Sequence, residues 1–255
     1  PTSPDIYNPF SLLSALSSGY FGAYWFSTGT PTFLVKMIRD MQIDLRDLEH
    51  IEEKLNNLMD ASFDLSNAIP LMYQSGYLTI RSYDPRFRTV QLDYPNEEVE
   101  QGFLDMLMKI YTESRSGRSE FDVRRFVLDV EAGRVDDFMT RLQALFSGYQ
   151  YDQIDLGNLE LHYRNVIYLA MKLMGFYTHA EMRTAAGRID LLVKTPDYLY
   201  LFEFKINKSA QAAMNQINAR DYLLPFHADG RRIVKVGVNF DDIIRSISEW
   251  IVEFE

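Results

Sequence analysis

Apolar residues recur at helical spacing from Asp5 to about Asn57, and turn chemistry divides that stretch into separate helices. In "NPFSLLSALSSG", Asn8 is placed to cap a helix, Pro9 suits its first position and Gly19 ends it; in "TPTFLVKMIRDM", Thr30 caps a second. A short helix in "AIPLMYQ" leads to a turn at Ser75-Gly76 and then to two segments, "YLTIRSY" and "RTVQLDY", that read as strands. A further helix opens at Asn96, with Glu97 and Glu98 in the first turn, where the helix dipole favours acids. Helices followed by a two-stranded wing predict a winged-helix-like, mainly helical unit.

"YTESRSGRSE" breaks the pattern and reads as a linker, so a first domain is expected over 1–112 and a second over 113–255. Past it, the spacing predicts helices at about Glu120–Glu131, Val135–Phe146 and Gly157–Leu173. The texture then becomes strand-like in "THAEMRTA", "GRIDLLVKT", "YLYLFEFKI" and "RIVKVGVNF". A helix, "SAQAAMNQINARDYLL", separates the last two, and a closing helix is expected in "DDIIRSISEWIVEF". This order calls for an α/β domain with a mixed sheet flanked by helices.

Within those strands, charges stand out. In "LYLFEFKI" Glu203 and Lys205 share a face with Leu199 and Leu201, while Tyr200, Phe202, Phe204 and Ile206 take the other. Both faces begin apolar, as in a central strand covered on both sides, where a charge is unfavourable unless paired or bound to a metal. If "RIDLLVK" pairs with this strand across the turn "KTPDY", Asp190 and Glu203 meet on one face. Two carboxylates there offer hard oxygen ligands to Mg²⁺, and Lys205, roughly 6.5 Å along the strand, is placed to orient a water or to offset charge on a phosphate. D…E-x-K at this spacing therefore suits phosphodiester hydrolysis, and suits equally an edge strand with a solvated Glu/Lys pair. Glu160, on a helix whose apolar side must pack on the sheet, is a candidate third carboxylate. Gln216 and Tyr222 follow the strand, and Glu181 opens the strand before Asp190.

Composition narrows the classes. The chain has 255 residues, 47% hydrophobic and 14% aromatic, as a folding protein requires. It has no cysteine, which excludes thiolate chemistry and suits an intracellular, cytoplasmic setting. No apolar run spans a membrane, so no membrane partner is expected. The chain starts at Pro1, which reads as a piece of a longer protein. The net charge of -10 argues against a general nucleic-acid coat, yet Glu181 to Lys235 holds nine bases and six acids. That locally basic stretch contains Arg188, Lys208 and Arg220, which with Tyr222 are the candidate nucleic-acid contacts. The four histidines show no metal-ligand spacing, and no glycine precedes a lysine, so no phosphate loop for ATP is present.

The C-terminal motifs "ELHYRNVIYL", "AEMRTAAGRIDLLV", "YLYLFEFKI" and "AMNQINARDYL" resemble the PD-(D/E)xK nuclease superfamily. "YNPFSLLSALSSG", "YWFSTGTPTFLVK" and "PLMYQSGYLTIRSYDPRF" narrow the resemblance to the branch in which such a domain follows an AAA-type ATPase-like domain. The resemblance implies a restriction-endonuclease-like fold and a metal-dependent nuclease acting on nucleic acid, with DNA expected. It implies Asp190, Glu203 and Glu160 as ligands of Mg²⁺ or Mn²⁺, Lys205 as the catalytic lysine, and Gln216 and Glu160 in supporting catalytic roles. It also implies that residues 1–112 are the lid and winged-helix part of the ATPase-like domain, whose core lies upstream as a partner. Arg164 departs from the branch, where a His often follows the Tyr. The alternative from another class is a non-catalytic module that binds nucleic acid or protein and regulates the ATPase-like domain.

Overall fold

The structure, a computed structural model, describes residues 9–20, 24, 32–49, 51–59, 68–112, 121–147, 159–175, 179–184, 189–219 and 230–255. The chain divides into two compact units, Pro1–Ile110 and Tyr111–Glu255.

The first unit contains α1 (Pro9–Ser18), α2 (Thr32–Asp40), a 3-10 turn at Leu45–Leu48, β1 (Ile51–Lys54), α3 (Leu55–Met59), α4 (Ala68–Gln74), β2 (Thr79–Asp84), β3 (Thr89–Asp93) and α5 (Glu97–Tyr111). Gly19 ends α1 at φ +66°, a conformation in which glycine carries no Cβ penalty. The caps expected at Asn8 and Thr30 lie outside the described residues. Asn96 does cap α5, its Oδ1 accepting from the Val99 N–H at 2.9 Å. Leu34, Val35 and Ile38 of α2, Leu58, Met72, Val90, Leu92 and Phe103 are all buried in this unit. The three strands are antiparallel in the order β1-β3-β2. β1 corrects the expectation of continuous helical texture to Asn57. Four residues are too few to show a period, and it is pairing with a distant partner, Ile51 opposite Leu92, that makes them a strand.

The second unit runs α6 (Val123–Glu131), α7 (Val135–Ser147), α8 (Leu159–Gly175), β4 (His179–Thr184), β5 (Ile189–Lys194), β6 (Tyr198–Ile206), α9 (Ala210–Ala219), β7 (Arg232–Asp241) and β8 (Ser246–Phe254). Its five-stranded sheet has the order β4-β5-β6-β7-β8, parallel only between β6 and β7, where α9 makes the crossover. It is the expected mixed sheet flanked by helices, compatible with a restriction-endonuclease-like fold. On one face the rings of Phe138 and Phe202 lie 5.5 Å apart, and Tyr163 of α8 stacks on Phe240 at 4.7 Å. On the other face Met214 and Ile217 of α9 bury Leu192, Leu199, Leu201 and Ile233.

The closing helix expected in "DDIIRSISEWIVEF" is instead β8. It pairs antiparallel with β7 from Val234↔Phe254 to Asp241↔Ser246, with one register shift near Phe240. Ile243, Ile244, Ile247 and Ile251 fit a helical stripe equally well, but the ladder to β7 and burial of Ile247 outweigh it. Among the described residues no helix is long and apolar enough to cross a membrane.

Candidate active site

The site begins at a turn. The Tyr198 N–H donates to Thr195 Oγ1 at 3.0 Å and the Thr195 N–H to the Tyr198 carbonyl at 2.9 Å, closing the β5–β6 hairpin and fixing its register. That register sets the backbone of Asp190 directly across from Glu203. On its other flank Glu203 faces Gly237 of β7, and Lys205 faces Asn239. Strand alternation puts Glu203 and Lys205 on the α9 face of the sheet, continuing the row of Leu199 and Leu201.

Glu203 is 1% exposed, and its Oε1 forms an ion pair with Lys205 Nζ. A carboxylate this deep is tolerable only with a partner, and Lys205, itself mostly buried, supplies one. Gly237, the β7 neighbour of Glu203, lies under α9. A Cβ built there would stand 2.5 Å from the Ala210 carbonyl oxygen and 2.8 Å from the Met214 nitrogen, so only a bare Cα lets α9 lie this close beside Glu203.

Several polar contacts hold the segment after β6. Asn207 adopts φ +53°, a left-handed conformation that asparagine tolerates, and its N–H donates to the Phe240 carbonyl at 2.8 Å. Buried Asn239 accepts from the Lys208 N–H at 2.9 Å and donates to Ser248 Oγ at 2.9 Å. Ser209 caps α9 by accepting from the Ala212 N–H at 3.0 Å, and Glu249 Oε1 accepts from the Ala210 N–H at 2.7 Å. Lys208 is therefore an exposed cation on a braced turn. Further along α9, the Gln216 Nε2 is buried with no hydrogen-bond partner. An amide donor left without an acceptor in the interior is unfavourable, and such exceptions mark places where a water, ion or ligand oxygen belongs.

Glu160 belongs to a helix rather than to the sheet. It lies in the first turn of α8, 57% exposed, and binds Arg164 at 2.7 Å one turn on. α8 contributes Tyr163 to the aromatic face of the sheet, opposite to the face carrying Glu203 and Lys205. Among the described residues no three His, Asp or Glu side chains are gathered to hold a metal ion. Arg188, Arg220 and Tyr222 lie outside the described residues. Sequence reasoning overlooked Gly237, Asn239 and Glu249. A lone glycine inside the apolar run "RIVKVGVNF" was the available signal for the first, since glycine in a strand interior marks close approach of another backbone.

Residues 158–250 match the family model described as the PD-(D/E)XK nuclease superfamily. The chain is also 30% identical over 264 residues to a protein of Azotobacter chroococcum mcd 1 described as "Uncharacterized protein in vnfD 5'region". That alignment takes in 99% of this chain and 50% of the relative, so the chain spans about half the length of the curated relative it matches. No solved structure matches significantly.

Proposed function

From a PD-(D/E)XK nuclease superfamily domain at residues 158–250, we propose that this chain hydrolyses phosphodiester bonds of nucleic acid, DNA above all, with the help of Mg²⁺ or Mn²⁺. The observation that carries the reading is the buried Glu203–Lys205 pair at the end of β6, in register with Asp190. Superfamily membership without such a pair would support only a shared fold.

The donor chemistry fits a hard divalent ion. Glu203 and Asp190 are oxygen donors on neighbouring strands, and the unpartnered Gln216 amide marks room for one more acceptor oxygen. Glu160 would join them by leaving Arg164. The ion supplies a bound water of lowered pKa and charge to offset a phosphate. With Glu203 as a ligand of the ion, Lys205 would hold the attacking water and oppose charge building on the phosphate oxygens. Gln216 donates its free N–H to that water or to a phosphate oxygen, and Lys208, with Arg188, Arg220 and Tyr222, contacts the nucleic-acid strand. The absence of cysteine supports a cytoplasmic setting.

One observation favours a second reading. Glu203 and Lys205 satisfy each other without an ion, as in a module that keeps the fold for binding and regulates a partner. For the first unit, helices α1 to α4, a three-stranded sheet ordered β1-β3-β2 and helix α5 after β3 support the winged-helix reading, and with it the lid part of an ATPase-like domain whose core is the partner.

The test is incubation of the chain and its Lys205→Ala variant, each checked for folding by circular dichroism, with supercoiled plasmid, single-stranded DNA and RNA in Mg²⁺, Mn²⁺ or chelator. Metal-dependent cleavage that the variant lacks is expected. Cleavage that survives in the variant would overturn the assignment of Lys205. If neither cuts, a melting midpoint unmoved by Mn²⁺ would support the binding module, because an ion that binds only the native state must raise it.

A further inference from the structure

The β2–β3 hairpin of the first unit ends in a tip that the nuclease reading does not use. Its aromatic residues face water: Tyr83 is 49% exposed and Phe87 62%. The Arg86 guanidinium lies 4.9 Å from the centroid of the Phe87 ring, a cation–π contact. The tip is built rigidly: Asp84 Oδ1 accepts from the Arg86 N–H at 2.8 Å and the Phe87 N–H at 3.3 Å, and the Arg88 carbonyl accepts from the Leu55 N–H at 3.1 Å.

Charge is distributed unevenly. Arg81 is engaged with Asp93 at 3.9 Å and with the Tyr94 carbonyl at 2.6 Å. Arg86 and Arg88 have no carboxylate partner among the described residues. The adjoining groove is polar and acidic, lined by Glu52, Ser82, Asp84, Thr89 and Gln91, and repels a polyanion. Two guanidinium groups without a carboxylate partner among the described residues thus flank an exposed ring at the tip, beyond that acidic floor.

We infer that this tip is a nucleic-acid contact in its own right, gripping a single-stranded segment. Phe87, held by Arg86, offers a stacking surface for an unpaired base, and Arg86 and Arg88 meet the flanking phosphates. Exposed aromatic rings alternating with arginine are the chemistry by which proteins hold single strands, since every base has a π-face and every linkage a charge. The inference shares with the nuclease reading only the class of ligand.

Anisotropy of a labelled oligothymidylate, titrated in chelator with the whole chain, tests it. Replacing Arg86, Phe87 and Arg88 together by Ala is expected to weaken binding by about tenfold or more. Loss of two phosphate contacts should also flatten the plot of log affinity against log salt by about 1.4, given roughly 0.7 per contact on single strands. The Phe87→Trp variant, whose indole would be the stacking surface, should show an oligonucleotide-dependent quench beyond that of the unmodified chain, and no such quench would count against stacking at this position. Unchanged affinity and salt slope in the triple variant, or no binding by the unmodified chain, would overturn the inference. Because no metal is present, either result is separate from cleavage and leaves the Lys205 test to decide the nuclease reading.

Discussion

Gly237→Ala probes how the site is built without touching a charged group. The added Cβ would lie 2.5 Å from the Ala210 carbonyl oxygen, 2.8 Å from the Met214 nitrogen and 3.3 Å from the Ala213 Cβ. The first two neighbours are backbone atoms of a braced helix, so no side chain can swing aside. α9 must lift by about an ångström to restore ordinary contact, and overpacking of this kind costs about 1–3 kcal/mol. Helix movement also loosens the packing of Met214 and Ile217 on Leu199 and Leu201, which puts the expected loss in the upper half of that range. For a chain of this size, about 2–3 kcal/mol lowers the melting midpoint by roughly 5–10 °C. Urea melts followed by circular dichroism would measure the loss, and hydrogen exchange would localise it to the α9 amides. The same shift displaces Gln216 with the rest of α9, so cleavage should fall further than the folded fraction does. An unchanged midpoint with full α9 protection would refute the close-approach argument.

Lys205→Ala strands a buried carboxylate, for which about 3–5 kcal/mol is expected; Mn²⁺ should then raise the variant's melting midpoint more than that of the unmodified chain, and an equal response would count against Glu203 as a metal ligand. Gln216→Met removes an unpartnered buried amide and should stabilise the chain by about 1 kcal/mol in urea melts while abolishing cleavage; destabilisation would show that the amide is satisfied after all. Burial holds the His162 imidazole neutral, with its pKa lowered to about 3. The unfolded chain takes up that proton below about 6.5 and the folded one does not, so stability is intact above 6.5 and falls as pH drops toward 3. Between pH 7 and pH 4.5 the loss should be about 2–3 kcal/mol, and His162→Gln should remove most of that pH dependence in urea midpoints.

Much of the second unit was legible because its strands are buried on both sides. β6 is nearly unbroken in apolar residues, so Glu203 and Lys205 are conspicuous, and the short turn before it leaves one natural register, which sets Asp190 opposite. α5 and α7 were legible for a different reason: each carries its own start signal and a complete apolar stripe. Where local signals were ambiguous, distant pairing decided. β8 has a helical stripe of isoleucines but an open β7 edge beside it, and β1 is too short to carry any period.

The sequence by itself therefore determined the strands of the candidate site, its two adjacent charges and the helices around it, because those features rest on alternation, turns and caps within a few residues of one another. Only the tertiary structure decided that α9 packs close against β7 at Gly237, that the Gln216 amide is left without an acceptor, and that Glu160 is paired to Arg164 one turn along α8. Each of these depends on which surface a helix packs against and how closely, and that is set by side chains far apart along the chain.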